Sequence, residues 1–171
     1  MLKETGQPKI IILGIGNILL RDEGVGIHLV RMLDKDEIDY DNLEIIDGGI
    51  CPEFVSLVGD ARKLIIVDAI EGGKDPGIIY RISTDDIMTD LSPPLCSHQA
   101  GVVDSLKLLR AIGKEPQDII IIGIEPKNMD FGLELSPEVK EKMAELKEIV
   151  TTEINRTKSL LPLANPSLDL V

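Results

Sequence analysis

Glu23, Asp68 and His98 stand in three separate segments of the 171-residue chain, and each carries a side chain able to hold a divalent cation. Two carboxylates and one imidazole leave coordination positions open for water or substrate. That is the pattern of a working metal centre rather than a structural one, with nickel, zinc, iron, cobalt or cadmium chemically acceptable. Each residue also has an ordinary reading. Asp22 and Glu23 sit at a helix start, where acids favour the positive end of the dipole. Asp68 can cap the loop after its strand. His98 can be a solvated first-turn residue. On the residues alone both readings stand.

Other residues invite chemistry with less support. Cys96 lies two positions before His98, so an extended backbone would point both side chains the same way. A thiolate nucleophile or fourth ligand is one reading; a passive small side chain is the ordinary one, for Cys51 as well. His28 falls within a helical pattern beside its apolar face. Asp47-Gly48-Gly49 reads as a generic turn. The segment from Gly14 begins like a dinucleotide fingerprint, but Leu19 stands where the third glycine belongs, and a pyrophosphate would meet Asp22 and Glu23. The chain contains no G-x-S-x-G elbow, His-Glu-x-x-His helix or CxxC pair.

The elements that must position these residues alternate. Residues 9–14 (KIIILG), 43–47 (LEIID), 63–68 (KLIIVD), 77–82 (GIIYRI) and 118–124 (DIIIIGI) are short and rich in Ile and Val. Such continuous apolar runs fit strands covered on both faces. Helical patterns span residues 23–33, 52–60, 99–112 and 136 to about 154. The first places Val25, Leu29, Met32 and Leu33 on one side; the third aligns Val102, Val103, Leu106, Leu109 and Ile112 and stops at Gly113. The last opens Ser-Pro-Glu, a cap followed by Pro and an early acid. This order predicts an α/β sandwich with a mostly parallel sheet. Residues 71–77 are too few for a parallel crossover, so the strand at 77–82 is predicted antiparallel. In an open α/β sheet ligands gather beyond the carboxyl ends of the strands, which is where Glu23, Asp68 and His98 fall.

Composition bounds the function. With 30 acidic against 18 basic side chains the net charge is −12, which argues against nucleic acid and against anionic membrane surfaces. At 43% hydrophobic the chain fits one domain, residues 1–171, with a core over 9–155 and loose ends at 1–8 and about 158–171. A chain this long buries roughly 70% of its unfolded surface without needing a metal or disulfide to fold. Two Cys provide no disulfide framework, so a reducing compartment is expected. The longest apolar stretch, residues 10–20, is far short of the roughly 20 uninterrupted apolar residues a span requires, and it ends in Arg-Asp-Glu rather than a cleavage site. A cytoplasmic location is expected.

The motif G-x-G-N-x-L-x-x-D-E-G-x-G at residues 14–26 is long and specific. Followed by Asp47-Gly-Gly49, Val67-Asp-Ala69, Ser97-His-Gln99 and Leu135-Ser-Pro137, it resembles the [NiFe]-hydrogenase maturation endopeptidases over roughly residues 9–150. The resemblance implies a twisted five-stranded sheet between helices, a three-layer sandwich. It implies a cytoplasmic endopeptidase that removes the C-terminal extension of a hydrogenase large-subunit precursor once nickel is loaded. The family's metal-binding residues match Glu23, Asp68 and His98, and its substrate-recognition turn matches Asp47, Gly48 and Gly49. Two mechanisms fit. Either a metal held by those three residues polarises the carbonyl or bound water, or the nickel belongs to the substrate and a carboxylate-activated water attacks, with Asp22, Glu23 or Asp68 as base. The second accounts for nickel-dependent cleavage and is preferred. A non-catalytic metal-sensing chaperone that binds the precursor's C-terminus is the alternative. The chain departs from the resemblance at Ile50-Cys51-Pro52, where Thr commonly follows the turn, and at Lys127, where Glu is common. Neither touches the three ligand positions.

Overall fold

The computed structural model describes residues 9–36, 38, 40–50, 55–83 and 99–159. Five strands form one sheet: β1 (Ile10–Gly14), β2 (Leu43–Asp47), β3 (Lys63–Ala69), β4 (Ile79–Ser83) and β5 (Asp118–Ile124), in the order β2-β1-β3-β5-β4. The first three and β5 run parallel. β4 runs antiparallel to β5, as its short connection requires. A 3₁₀ turn (Arg21–Gly24) leads into α1 (Val25–Leu33); α2 (Val55–Val58), α3 (Gln99–Ala111) and α4 (Pro137–Ser159) complete the fold.

The runs of Ile and Val are continuous because both faces of the sheet are covered. Alternate residues serve opposite cores. Ile10, Ile12, Ile65, Val67, Ile120 and Ile122 face α1 and α4, where Val25, Leu29, Val139, Met143 and Leu146 meet them. Ile11, Leu13, Leu64, Ile66, Ile119 and Ile121 face the other way, against Val58, Val102, Leu106 and Leu109. The architecture is the expected three-layer sandwich.

Differences from the sequence pattern are local. The predicted first helix starts as a 3₁₀ turn, because residues 21–24 are drawn toward another loop. Met32 and Ile112, placed on apolar faces by spacing, are 36% and 49% exposed. Met32 lies between Arg31 and the fully buried Leu33 on the outer side of α1's last turn, and Ile112 lies just past the end of α3. The final helix continues to Ser159, past the expected end near residue 154, because Ile154 and Thr157 are still buried. Gly113 closes α3 as expected, with its own N–H on Arg110 O (3.1 Å) and the next N–H, from Lys114, reaching Leu109 O at 2.9 Å.

At the amino edge, β3 begins with a Lys whose ammonium is buried. Lys63 Nζ donates to Glu153 Oε2 and to its carbonyl, both at 3.1 Å, and pairs with Asp118 at 2.9 Å. Arg81 donates to the other Glu153 oxygen at 2.8 Å. Burial alone would push the Glu153 carboxyl up; Arg81 and Lys63 outweigh it and hold the group below its ordinary value. This network ties β3, β4 and β5 to α4 at the end remote from the acids of the motif.

Candidate active site

The turn bearing Glu23 is fixed by backbone approaches that leave no room for side chains. Gly16 has φ +141°, and a Cβ there would lie 2.0 Å from the Glu23 carbonyl oxygen. A Cβ on Gly26 would lie 2.2 Å from Val67 O and 2.4 Å from Ile15 O. The start of α1 therefore rests directly on the residue before Asp68, and the 3₁₀ turn packs against β3. Glu23 and Asp68 are delivered to the same edge, 8% and 3% exposed.

Asp68 lies at the end of β3 and accepts the Ala69 N–H at 2.8 Å, the capping contact its ordinary reading describes. His98 directly precedes α3 and lies outside the described residues, as do Cys51 and Cys96. Among the described residues no group of three or more metal-ligating side chains is assembled. The two carboxylates supply hard oxygen donors, and the donor set completed by an imidazole suits a first-row divalent cation.

Asp22 has a different function from its neighbour. Its carboxylate is fully buried. Oδ2 accepts the N–H groups of Lys127 and Asn128, both at 2.9 Å, and Oδ1 accepts the Ser136 N–H at 2.7 Å. A carboxylate surrounded by three backbone donors and shut off from solvent is poorly placed to take a proton from water. The geometry makes Asp22 a clamp between the Glu23 turn and the loop at 125–136. The backbone reinforces the clamp: Arg21 N–H reaches Gly132 O at 2.9 Å, and Gly132 N–H reaches Leu19 O at 2.8 Å.

Asp47, Gly48 and Gly49 flank the site on the β2 side. Asp47 Oδ1 accepts the Gly49 N–H at 3.1 Å, the turn that Asp-Gly-Gly predicts. Gly48 N–H donates to Gly14 O and Gly16 N–H to Gly49 O, both at 2.9 Å, which locks this turn to the motif. Asp47 Oδ2 takes a two-nitrogen contact from Arg31 at 2.9 and 3.2 Å. Nothing in the local sequence signals Arg31, whose partner lies 16 positions away.

Glu125 has no reading of its own in the sequence, although it too follows a strand at the carboxyl edge, so the rule that gathered Asp68 also reaches it. Its carboxylate accepts the Gly72 N–H at 2.8 Å and the Gly73 N–H at 3.1 Å, and receives the Tyr80 hydroxyl. Burial would raise the carboxyl, but these donors hold it below its ordinary value. Burial and the same bond push the Tyr80 phenol up to about 12. His28 is half buried and hydrogen-bonded to the backbone of Leu133; burial foremost, then nearby Arg31, pushes its imidazole down.

A doubly covered, mostly parallel sheet with buried acids at its carboxyl edge defines an α/β protein whose polar residues gather at one end of the sheet. The chain matches the hydrogenase maturation protease family over residues 27–153 and belongs to it. It is 32% identical to the hydrogenase expression/formation protein HupD of Thiocapsa roseopersicina, across 96% of this chain and 81% of that one. It is 34% identical to the hydrogenase 2 maturation protease of Escherichia coli K12, across 77% and 82%. The hydrogenase maturating endopeptidase HybD from E. coli superposes with a TM-score of 0.79 at 30% identity, covering 87% of this chain and 93% of that one. The [NiFe] hydrogenase maturation protease HybD from Thermococcus kodakarensis gives 0.71 at 28% identity, covering 85% and 98%. The chain is thus a protease of this family.

Proposed function

We propose that this protease removes the C-terminal extension of a [NiFe]-hydrogenase large-subunit precursor in the cytoplasm, and that nickel already seated in the precursor is what it recognises. The observation that supports the reading is the burial of two carboxylates, Glu23 and Asp68, on elements that the Gly16 and Gly26 approaches hold together at one edge. Together with His98 they present oxygen and nitrogen donors to a metal that arrives as part of the substrate. Zinc or cadmium would suit the same donors.

Cleavage in this scheme uses water. A carboxylate of the Glu23–Asp68 pair takes a proton as the water oxygen adds to the scissile carbonyl; the C–N bond then breaks and the proton passes to the leaving amine. Asp22 holds Glu23 in place and takes no proton. The Asp47-Gly48-Gly49 turn lines the approach for the substrate chain.

The test is mass spectrometry of a precursor incubated with this protein, with and without nickel. Loss of a C-terminal peptide only from the loaded precursor is the expected result, and Asp68→Asn or His98→Ala should abolish it with the fold intact. Full processing by both variants would remove the site. A precursor left intact but held in a complex would make the protein a metal-sensing chaperone instead.

A further inference from the structure

Resting on that reading, we propose that Leu19, Phe131 and Leu133 form a docking surface for a segment of the precursor polypeptide that is apolar and flanked by Lys or Arg. Phe131 is 78% exposed, Leu133 63% and Leu19 46%. The chain has only two Phe and no Trp, and among the described residues Phe131 is the aromatic ring most open to solvent. The segments that carry the three side chains lie side by side, because Leu20 and Gly132 form a β-bridge and Gly132 N–H is bonded to Leu19 O.

The surface is held in place at several points. Asp22 spends both carboxylate oxygens on Lys127, Asn128 and Ser136, on either side of Phe131 and Leu133. Arg21 sits at φ +46°, a conformation costly for a side-chain-bearing residue, with its N–H on Gly132 O. His28 holds the Leu133 backbone. An apolar loop pinned in this way loses little conformational freedom when covered, so burial converts more fully into affinity. Exposed aromatic and aliphatic anchors beside a site are the usual carriers of such affinity.

Charge selects the occupant. Asp130 and Glu134, both exposed, bracket Phe131 and Leu133 in the run Asp-Phe-Gly-Leu-Glu, on a chain of net charge −12. Arg21 packs its guanidinium against Gly132, but the two exposed acids outnumber it, so a segment with Lys or Arg beside its apolar residues matches this surface better than an acidic one. Continuity with the Glu23 turn places such a segment next to the carboxylates.

The experiment measures steady-state cleavage and surface binding of nickel-loaded precursor by the full-length wild type and the double variant Phe131→Ser/Leu133→Ser. The expected result is an increase in KM of about tenfold with kcat retained, unchanged thermal unfolding, and weakened binding. Asp130→Lys/Glu134→Lys should also raise KM and flatten its salt dependence. Unchanged KM and binding, or a fall confined to kcat, would overturn the surface while leaving the protease reading intact. A wild type that binds the precursor without cutting it, with binding lost in the double variant, would support the surface and refute the protease reading. Absence of binding by the wild type overturns both. Sedimentation showing a wild-type dimer that the double variant dissolves would reassign the patch to a second copy of this chain.

Discussion

The carboxylate of Asp22 accepts a 2.7 Å hydrogen bond from the backbone N–H of Ser136, 114 residues further along the chain. Ser136 immediately precedes α4, so one side chain joins the Glu23 turn to the start of the longest helix. Two more bonds, to Lys127 and Asn128, make the same oxygens a fixed point for the intervening loop.

Asp22→Asn replaces one of the accepting oxygens by an amide nitrogen that faces backbone donors. The variant should lose about 1–3 kcal/mol in urea unfolding, the cost of leaving buried donors unmatched. Activity should fall as well, because Glu23 is no longer held. A variant with wild-type stability would show that water replaces the lost acceptor.

Gly16→Ala and Gly49→Ala separate crowding from backbone strain. At Gly49, φ is +59° and nothing lies within 4 Å of an added Cβ. Strain alone then sets the cost, which should be about 1–2 kcal/mol. At Gly16 the added carbon meets the Glu23 carbonyl at 2.0 Å. That variant should fail to reach the native fold or unfold at much lower denaturant. Comparable midpoints for the two would contradict the packing described for the motif.

Glu153→Gln leaves Lys63 buried with only the half-exposed Asp118 as a charged partner. Removing one side of a buried pair costs about 3–5 kcal/mol, so a fall of that order in urea unfolding at neutral pH is expected. The acid response should change too. The Glu153 carboxyl is held below 4.5, so its stabilisation is present above that pH and disappears as pH falls through the lower folded value. The variant should lack that part of the acid-induced loss. An unchanged acid profile would remove Glu153 from the account.

Tyr80 gives an optical reading of the Glu125 network. Alkaline difference spectroscopy should show a phenol ionising at about pH 12, and Tyr80→Phe should remove that component. Persistence of the component would assign it to Tyr40, whose phenol is also raised by burial.

The five strands were legible because each is a short run of Ile and Val, and the antiparallel β4 followed from the few residues before it. The carboxyl-edge rule reaches Glu23, which follows β1, and Asp68, at the end of β3, without any knowledge of contacts. Asp22 was different: adjacent to Glu23 and of like chemistry, it is bonded to three backbone donors from the far loop and the start of α4, and nothing in the local sequence signals them. Arg31 and the exposed Phe131 were equally hidden, since a partner on a distant strand or a loop's outward tilt leaves no periodic trace. His98 falls outside the described residues, so its place rests on sequence.

The crowding around Gly16 and Gly26 divides the opening motif into two parts with unequal tolerance for change. The glycines and Asp22 admit almost no substitution, since each touches backbone or holds it. The Leu19 side chain, within the same motif, projects outward and plays no part in fixing the turn. Mutational drift can therefore run through Leu19 and its neighbours Phe131 and Leu133 while the carboxylates stay put. Descendants of one such protease can thus acquire new clients without reinventing their chemistry.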